Sequence, residues 1–189
     1  PQLRQDNEQA LALNVNNLGS KESRAVYKKS NLDVRQYERM QLFIHAEAPE
    51  IDATQVGNND LSLFVRLGSD YKSNYYEYEV PLTLTPHGSY DGNSTVGATA
   101  VWPQENMIDI PLDKLTNVKT RRNTLRNSNA EGVTNTTIYS EYDDETPKNR
   151  ISVVGSPSLG QIKVMMIGVR NNSASNKCRN DQPKRGLFI

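Results

Sequence analysis

One cysteine, Cys178, stands among 189 residues, so no internal disulfide can form. There is one tryptophan, Trp102, and aromatic residues make up only 7% of the chain. The two histidines, His45 and His87, lie far apart in sequence. No CxxC, HExxH, GxSxG or phosphate-cradling glycine loop occurs. A zinc site needs three or four nitrogen, sulfur or oxygen ligands, which two distant histidines and one cysteine do not supply. Charge of one sign is also missing. Lys plus Arg and Asp plus Glu each total 22, giving a formal net charge of zero. That removes the electrostatic case for a nucleic-acid or anionic-membrane binder. No apolar run approaches the roughly 20 residues of a membrane helix. Hydrophobic residues are 35% of the chain and mean hydropathy is −0.70. What the chain has in excess is asparagine, 20 residues, a type favoured in turns and caps.

The alternating segments are short. Leu61, Leu63, Val65 and Leu67 fall on one face of a strand, and Ser62, Phe64 and Arg66 fall on the other. After a turn at Gly68-Ser69-Asp70, Tyr76, Tyr78, Val80 and Leu82 alternate with Tyr75, Glu77 and Glu79. The two runs predict an antiparallel hairpin with one wet face. Further strands are expected at Met40–Ala46 (closed by Pro49 and Asp52), near Met107–Ile110 and at Ile151–Val154. Ile162–Val169, the most apolar run, is expected to be central. Asp33 is placed as the cap of a helical turn bearing Val34 and Tyr37. Pro111 opens a helix with Leu112, Leu115 and Val118 on one side and Lys119, Arg121, Arg122 and Arg126 toward its solvated end. Residues 86–100 and 127–149 read as polar, turn-rich loops. The fold class is therefore mostly β: an antiparallel two-sheet, jelly-roll-like sandwich with one or two short helices and long loops. Residues 1–30 read as a polar tether or an added edge strand, 31–171 as the sandwich and 172–189 as a polar tail. The start at Pro1 and the apolar Leu187-Phe188-Ile189 read as cuts through a longer polypeptide, the latter leading into an excised strand.

Each candidate site has a plainer alternative. Cys178 sits in a polar tail with no base in view, so a nucleophile is not expected. Glu77 and Glu79 share a strand face and could serve as a glycosidase pair, but a solvated face opposite Lys or Arg is favoured. Tyr75, Tyr76, Tyr78 and Trp102 are candidate stacking platforms for sugar rings, or else fill one sheet face. Asn58, Asn59 and Asp60, or Asp143, Asp144 and Glu145, offer oxygens to a structural calcium ion without EF-hand spacing, and a solvated turn is preferred.

Several stretches together resemble one family. They are Asn31–Tyr37 leading into Met40–Glu47, Leu61–Asp70, Asn74–Leu82, Val101-Trp102-Pro103, Asp113–Lys119 and Leu159–Asn171. In order and spacing over residues 31–171 they look like SprA (Sov in some members), a cell-surface protein of the gliding and type IX secretion machinery of Bacteroidetes. The resemblance implies a soluble module inserted in a very large outer-membrane β-barrel, with the rest of that barrel and other secretion-system proteins as partners. It carries over no catalytic residue and no cofactor. A carbohydrate-binding sandwich is the alternative reading.

Overall fold

The computed structural model describes residues 10–48, 56–174 and the backbone of 187–188. In chain order the strands are β1 (Asn14–Val15), β2 (Ser23–Leu32), β3 (Arg39–Leu42), β4 (Leu61–Gly68) and β5 (Tyr75–Pro81). Helix α1 (Thr95–Val101), a 3-10 turn (Gln104–Asn106), β6 (Ile108–Pro111) and helix α2 (Leu112–Asn127) follow. The chain continues through β7 (Tyr139–Tyr142), β8 (Arg150–Val154), β9 (Ile162–Asn171) and β10 (Leu187–Phe188). Six strands form one antiparallel sheet in the order β2-β9-β4-β5-β8-β7, and β3–β6 and β1–β10 are two-stranded ribbons.

The mostly-β antiparallel architecture is as expected, and the core explains its layering. The β4 face of Leu61, Leu63, Val65 and Leu67 joins Tyr76, Tyr78 and Val80 of β5, Ile151 and Val153 of β8 and Val169 of β9. Against this face pack Ile108 and Ile110 of β6 and Leu112, Leu115 and Val118 of α2. The second layer is thus the β3–β6 ribbon together with one helix. Burying a residue such as Leu115 contributes about 1.5–3 kcal/mol, and α2 lives on this stripe.

The hairpin β4–β5 has the expected register, with Leu63 opposite Val80 and Val65 opposite Tyr78. Its turn is built by Asp70, whose Oδ1 accepts the amide N–H of Lys72 at 2.7 Å, Ser73 at 2.6 Å and Asn74 at 3.2 Å. Strand β9 is internal but second from the edge, between β2 and β4, and it is only partly buried.

Some expectations need correction. Residues 23–32 form an edge strand, the second of the two readings of residues 1–30, and it runs on to Leu32, past the boundary at residue 30. The strand at Met40–Ala46 stops at Leu42; Phe43 is 65% exposed and Ile44 and Ala46 are buried in irregular chain. Pro49 and Asp52 lie outside the described residues. Val34 to Tyr37 closes a single turn, Tyr37 N–H to Val34 carbonyl, not a helix. The stretch 86–100 holds α1, whose N-cap Ser94 accepts the Gly97 N–H at 2.9 Å. The polar stretch 127–149 holds β7. Helix α2 begins at Leu112, directly after Pro111 ends β6. Leu187–Phe188 pairs with β1 within the chain, Asn14 opposite Phe188 and Val15 opposite Leu187. Most of the 172–189 tail, with Cys178, lies outside the described residues.

Candidate functional site

The second face of the six-stranded sheet carries the unusual chemistry. The register places Arg66 opposite Glu77 and Glu79 opposite Arg150, with Ser62 opposite Arg170. Glu77 and Glu79 share this face, as their two-residue spacing requires. The face is not wet. Glu77 is 0% and Glu79 3% exposed, and Ser62, Phe64 and Ser152 are buried beside them. The cover is made of arginine. Arg66 Nε lies 2.5 Å from Glu77 Oε2, and Arg170 reaches Glu77 at 3.2 Å and also Glu79. Arg150 and the Ser62 hydroxyl both bond to Glu79. The guanidiniums lie on aromatic rings: Arg66 is 4.2 Å from the Tyr75 ring centroid and 5.1 Å from that of Phe64, and Arg170 is 4.7 Å from Phe64. Strand β9 admits this stack because Gly168 has no side chain; a Cβ there would lie 2.6 Å from Phe64 Cζ and 2.5 Å from Ala25 Cβ.

Glu79 and Arg170 are held in their charged forms. Burial raises the Glu79 pKa, but the Ser62 hydroxyl, Arg170 and Arg150 outweigh it, and the carboxyl titrates below its ordinary range. Burial lowers that of Arg170, but Glu77 and Glu79 raise it further. A carboxylate held by two or three donors is a poor nucleophile and a poor proton donor. The pair is a cross-strand clamp, with arginine opposite as expected and solvent excluded against expectation.

The tyrosines divide between the faces. Tyr76 and Tyr78 are 1% and 2% exposed, with hydroxyls donated to the Pro157 carbonyl at 3.1 Å and to Asp143 Oδ2 at 2.8 Å. Burial pushes both hydroxyls up to about 12. Tyr75 lies under Arg66 on the opposite face and is buried too. None of the three offers a ring for a sugar to stack on, and together they do not form a platform. Trp102, at the end of α1, is half exposed and stands edge-on to His45, 5.9 Å between centroids. His45 Nδ1 meets the Val101 carbonyl at 2.8 Å and the Thr85 hydroxyl at 3.2 Å, so this imidazole ties α1 to the chain after β3. His87 is exposed in the turn after Pro86.

Asp143, Asp144 and Glu145 surround Lys114 Nζ at 2.6, 2.7 and 3.3 Å. Burial raises the Asp143 pKa, but Lys114, Tyr78 and the Glu145 amide outweigh it and bring the carboxyl down to about 2. A lysine of α2 thus sits where a cation was considered. In the other acidic turn, Asn58 accepts the Leu84 amide N–H at 2.9 Å and Asp60 that of Gly57 at 2.8 Å, while Asn59 takes a positive φ of 67°. Among the described residues, no group of three or more His, Cys, Asp and Glu could hold a metal ion.

The basic end of α2 is not uniformly solvated. Arg121 pairs with Glu141 at 2.5 Å, and Arg126 bonds to Asn135. Lys119 Nζ donates to the Pro157 carbonyl at 2.7 Å. Arg122 is fully buried. It donates to the Gly155 carbonyl at 2.7 Å, and its Nη1 has no hydrogen-bond partner among the described residues. Its pKa is lowered by burial and by Arg126. A cleft of about 670 Å3 opens beside the start of α2, with Arg35, Tyr37, Arg39, Asp113 and Lys119 in its wall. Its charges are mixed.

Sequence reading missed Arg66, Arg150 and Arg170 as the partners of the paired glutamates. The hairpin alone places Arg66 across from Glu77; the other two need the non-local pairings of β8 and β9.

Among the described residues, no helix is long and apolar enough to cross a membrane. No curated protein matches the chain. A family model for the N-terminal region of SprA, described as a motility related/secretion protein, matches residues 1–186. It covers nearly the whole chain, and so the protein belongs to the SprA N-terminal family of motility-related secretion proteins.

Proposed function

We propose that this chain is a non-enzymatic structural and interaction module of an outer-membrane translocon that supports type IX protein secretion and gliding motility in Bacteroidetes. The observation that carries the reading is the family match over residues 1–186. The geometry is in keeping with it. The paired carboxylates are spent on arginines, and over β4, β5 and β8 both sheet faces are buried. That arrangement supports a reading in which edges and loops meet what surrounds the module. Its partners are the remainder of the parent barrel and other secretion-system proteins. The module works at the cell surface or the periplasmic face, without inserting in the bilayer itself and without a cofactor.

The test is an in-frame excision. Asn14 pairs with Phe188, so residues 14–188 can be replaced by a short glycine-serine linker with little strain on the flanking chain. Secretion of type IX cargo and colony spreading are both expected to fall while the parent still reaches the outer membrane. Normal secretion and spreading in a strain with a correctly inserted parent would sink the reading.

A further inference from the structure

Strand β2 is built like a docking rail. It pairs with β9 on one side, and among the described residues no strand pairs with its other side. Its register with β9 is unbroken over seven pairs, from Ser23 opposite Arg170 to Lys29 opposite Val164. Nine of its ten residues are exposed. In such a strand alternate residues turn their N–H and C=O groups outward, and a row of these is a template for a further strand. Proteins blunt such an edge by shortening it, by bulges or by charged side chains, lysine above all. Strand β2 keeps its length, its register shifts only past Lys29, and its lysines repel like-charged strands while leaving an acidic one admissible. The opposite edge, β7, is four residues long and its Glu141 is tied to Arg121.

The side chains specify what would fit. Val26 and Tyr27, 45% and 52% exposed, present apolar surface on the two opposite faces. Met165 of β9, also exposed, extends the Val26 side, and Tyr71 stacks on Tyr27 with 5.0 Å between centroids. Charge is of one sign. β2 carries Arg24, Lys28 and Lys29, β9 carries Lys163 and Arg170, and neither strand contains an acidic residue. Arg170 is consumed by Glu77 and Glu79, and Arg24 has an exposed contact with Glu22. Lys28, Lys29 and Lys163 have no ion pair among the described residues. A second copy of this strand would bring lysine against lysine, which disfavours self-pairing.

We propose that β2 accepts an extended acidic segment of another polypeptide as a seventh strand, its amides completing the ladder and its carboxylates meeting Lys28 and Lys29. This rests on the interaction-module reading for its biological setting but stands on separate chemistry. Its failure in a binding assay would leave the excision phenotype untouched.

The probe is a fluorescein-labelled peptide of about ten residues in which pairs of glutamates alternate with pairs of valines, so that both of its faces carry carboxylates for Lys28 and Lys29, which lie on opposite faces of β2. It is titrated with the 189-residue chain and read by fluorescence anisotropy. Saturable binding that weakens with salt is expected. Amide exchange over residues 23–29 should slow when peptide is added. Lys28→Glu with Lys29→Glu, both at exposed sites, should retain the thermal melt and weaken binding at least about tenfold, ~1.4 kcal/mol. The same peptide N-methylated at alternate amides should not bind. Equal binding of the N-methylated peptide, equal binding of a lysine-for-glutamate peptide, or no saturation by about 1 mM would overturn the proposal. So would a chain that self-associates through β2.

Discussion

Glu77 is a fully buried carboxylate whose two neighbours across the strands, Arg66 and Arg170, are themselves mostly covered. A buried ion pair contributes little beyond what well-packed apolar residues would, but losing one member leaves the other charged and unpaired. Glu77→Gln keeps the shape and removes the charge. It is expected to cost about 3–5 kcal/mol, read as a lower urea midpoint with an unchanged slope. A loss below about 1 kcal/mol would mean that this face is solvated after all, since exposed pairs contribute that little. Arg122 poses the opposite problem. Its guanidinium is buried with backbone and amide partners and no carboxylate. Reading the sequence as a solvated helix end missed it because helical spacing puts Arg122 on the same side as Leu115 and Val118, a face that tertiary packing buried whole.

At the scale of the element, β9 shows how one missing side chain admits an aromatic ring. Gly168→Val would drive two methyls toward Phe64, Ala25 and the Arg24 carbonyl, all within 2.6 Å of the Cβ position. Overpacking of this kind costs typically about 1–3 kcal/mol. Calorimetry should show the lower melting temperature, and amide exchange should show β2 released first. What was legible follows the same logic. Strands β4, β5, β8 and β9 could be read because their alternation or unbroken apolarity is written into consecutive residues. So could the Leu112-Leu115-Val118 stripe of α2. Strand β7 could not be read, because Tyr-Ser-Glu-Tyr is polar and exists by pairing with β8, Tyr139 against Val153 and Glu141 against Ile151. Helix α1 was hidden by Gly97 and β-branched residues, which are weak helix formers, and it is held by the Ser94 cap. The candidate site was half legible. The same-face geometry of Glu77 and Glu79 follows from spacing, whereas their burial depends on Arg150 and Arg170, far along the chain. Tyr76 and Tyr78 looked like a platform because an alternating aromatic set does not itself say which face is covered.

For the whole molecule, Asp143 links the layers: Lys114 of α2, Tyr78 of β5 and the loop at Thr146 all meet it. Its folded pKa, about 2, lies below its ordinary 3.8. A depressed carboxyl stabilises the fold above the ordinary value, and that contribution is lost as pH falls from about 4 toward about 2. Glu79, also depressed, acts in the same sense. Asp143→Asn should therefore be less stable at neutral pH, and its stability should fall less than the wild type's between pH 5 and pH 2, measured by urea unfolding at each pH. Parallel acid profiles for the two proteins would assign the acid sensitivity elsewhere. The β1–β10 ribbon has a mechanical meaning. Its two rungs, Asn14 to Phe188 and Val15 to Leu187, set the incoming and outgoing chain side by side. Tension applied through the flanking chain would peel these rungs one after the other, a soft opening. Pulled from its two ends, the protein should give way first at this small buckle, well before the six-stranded sheet bears load.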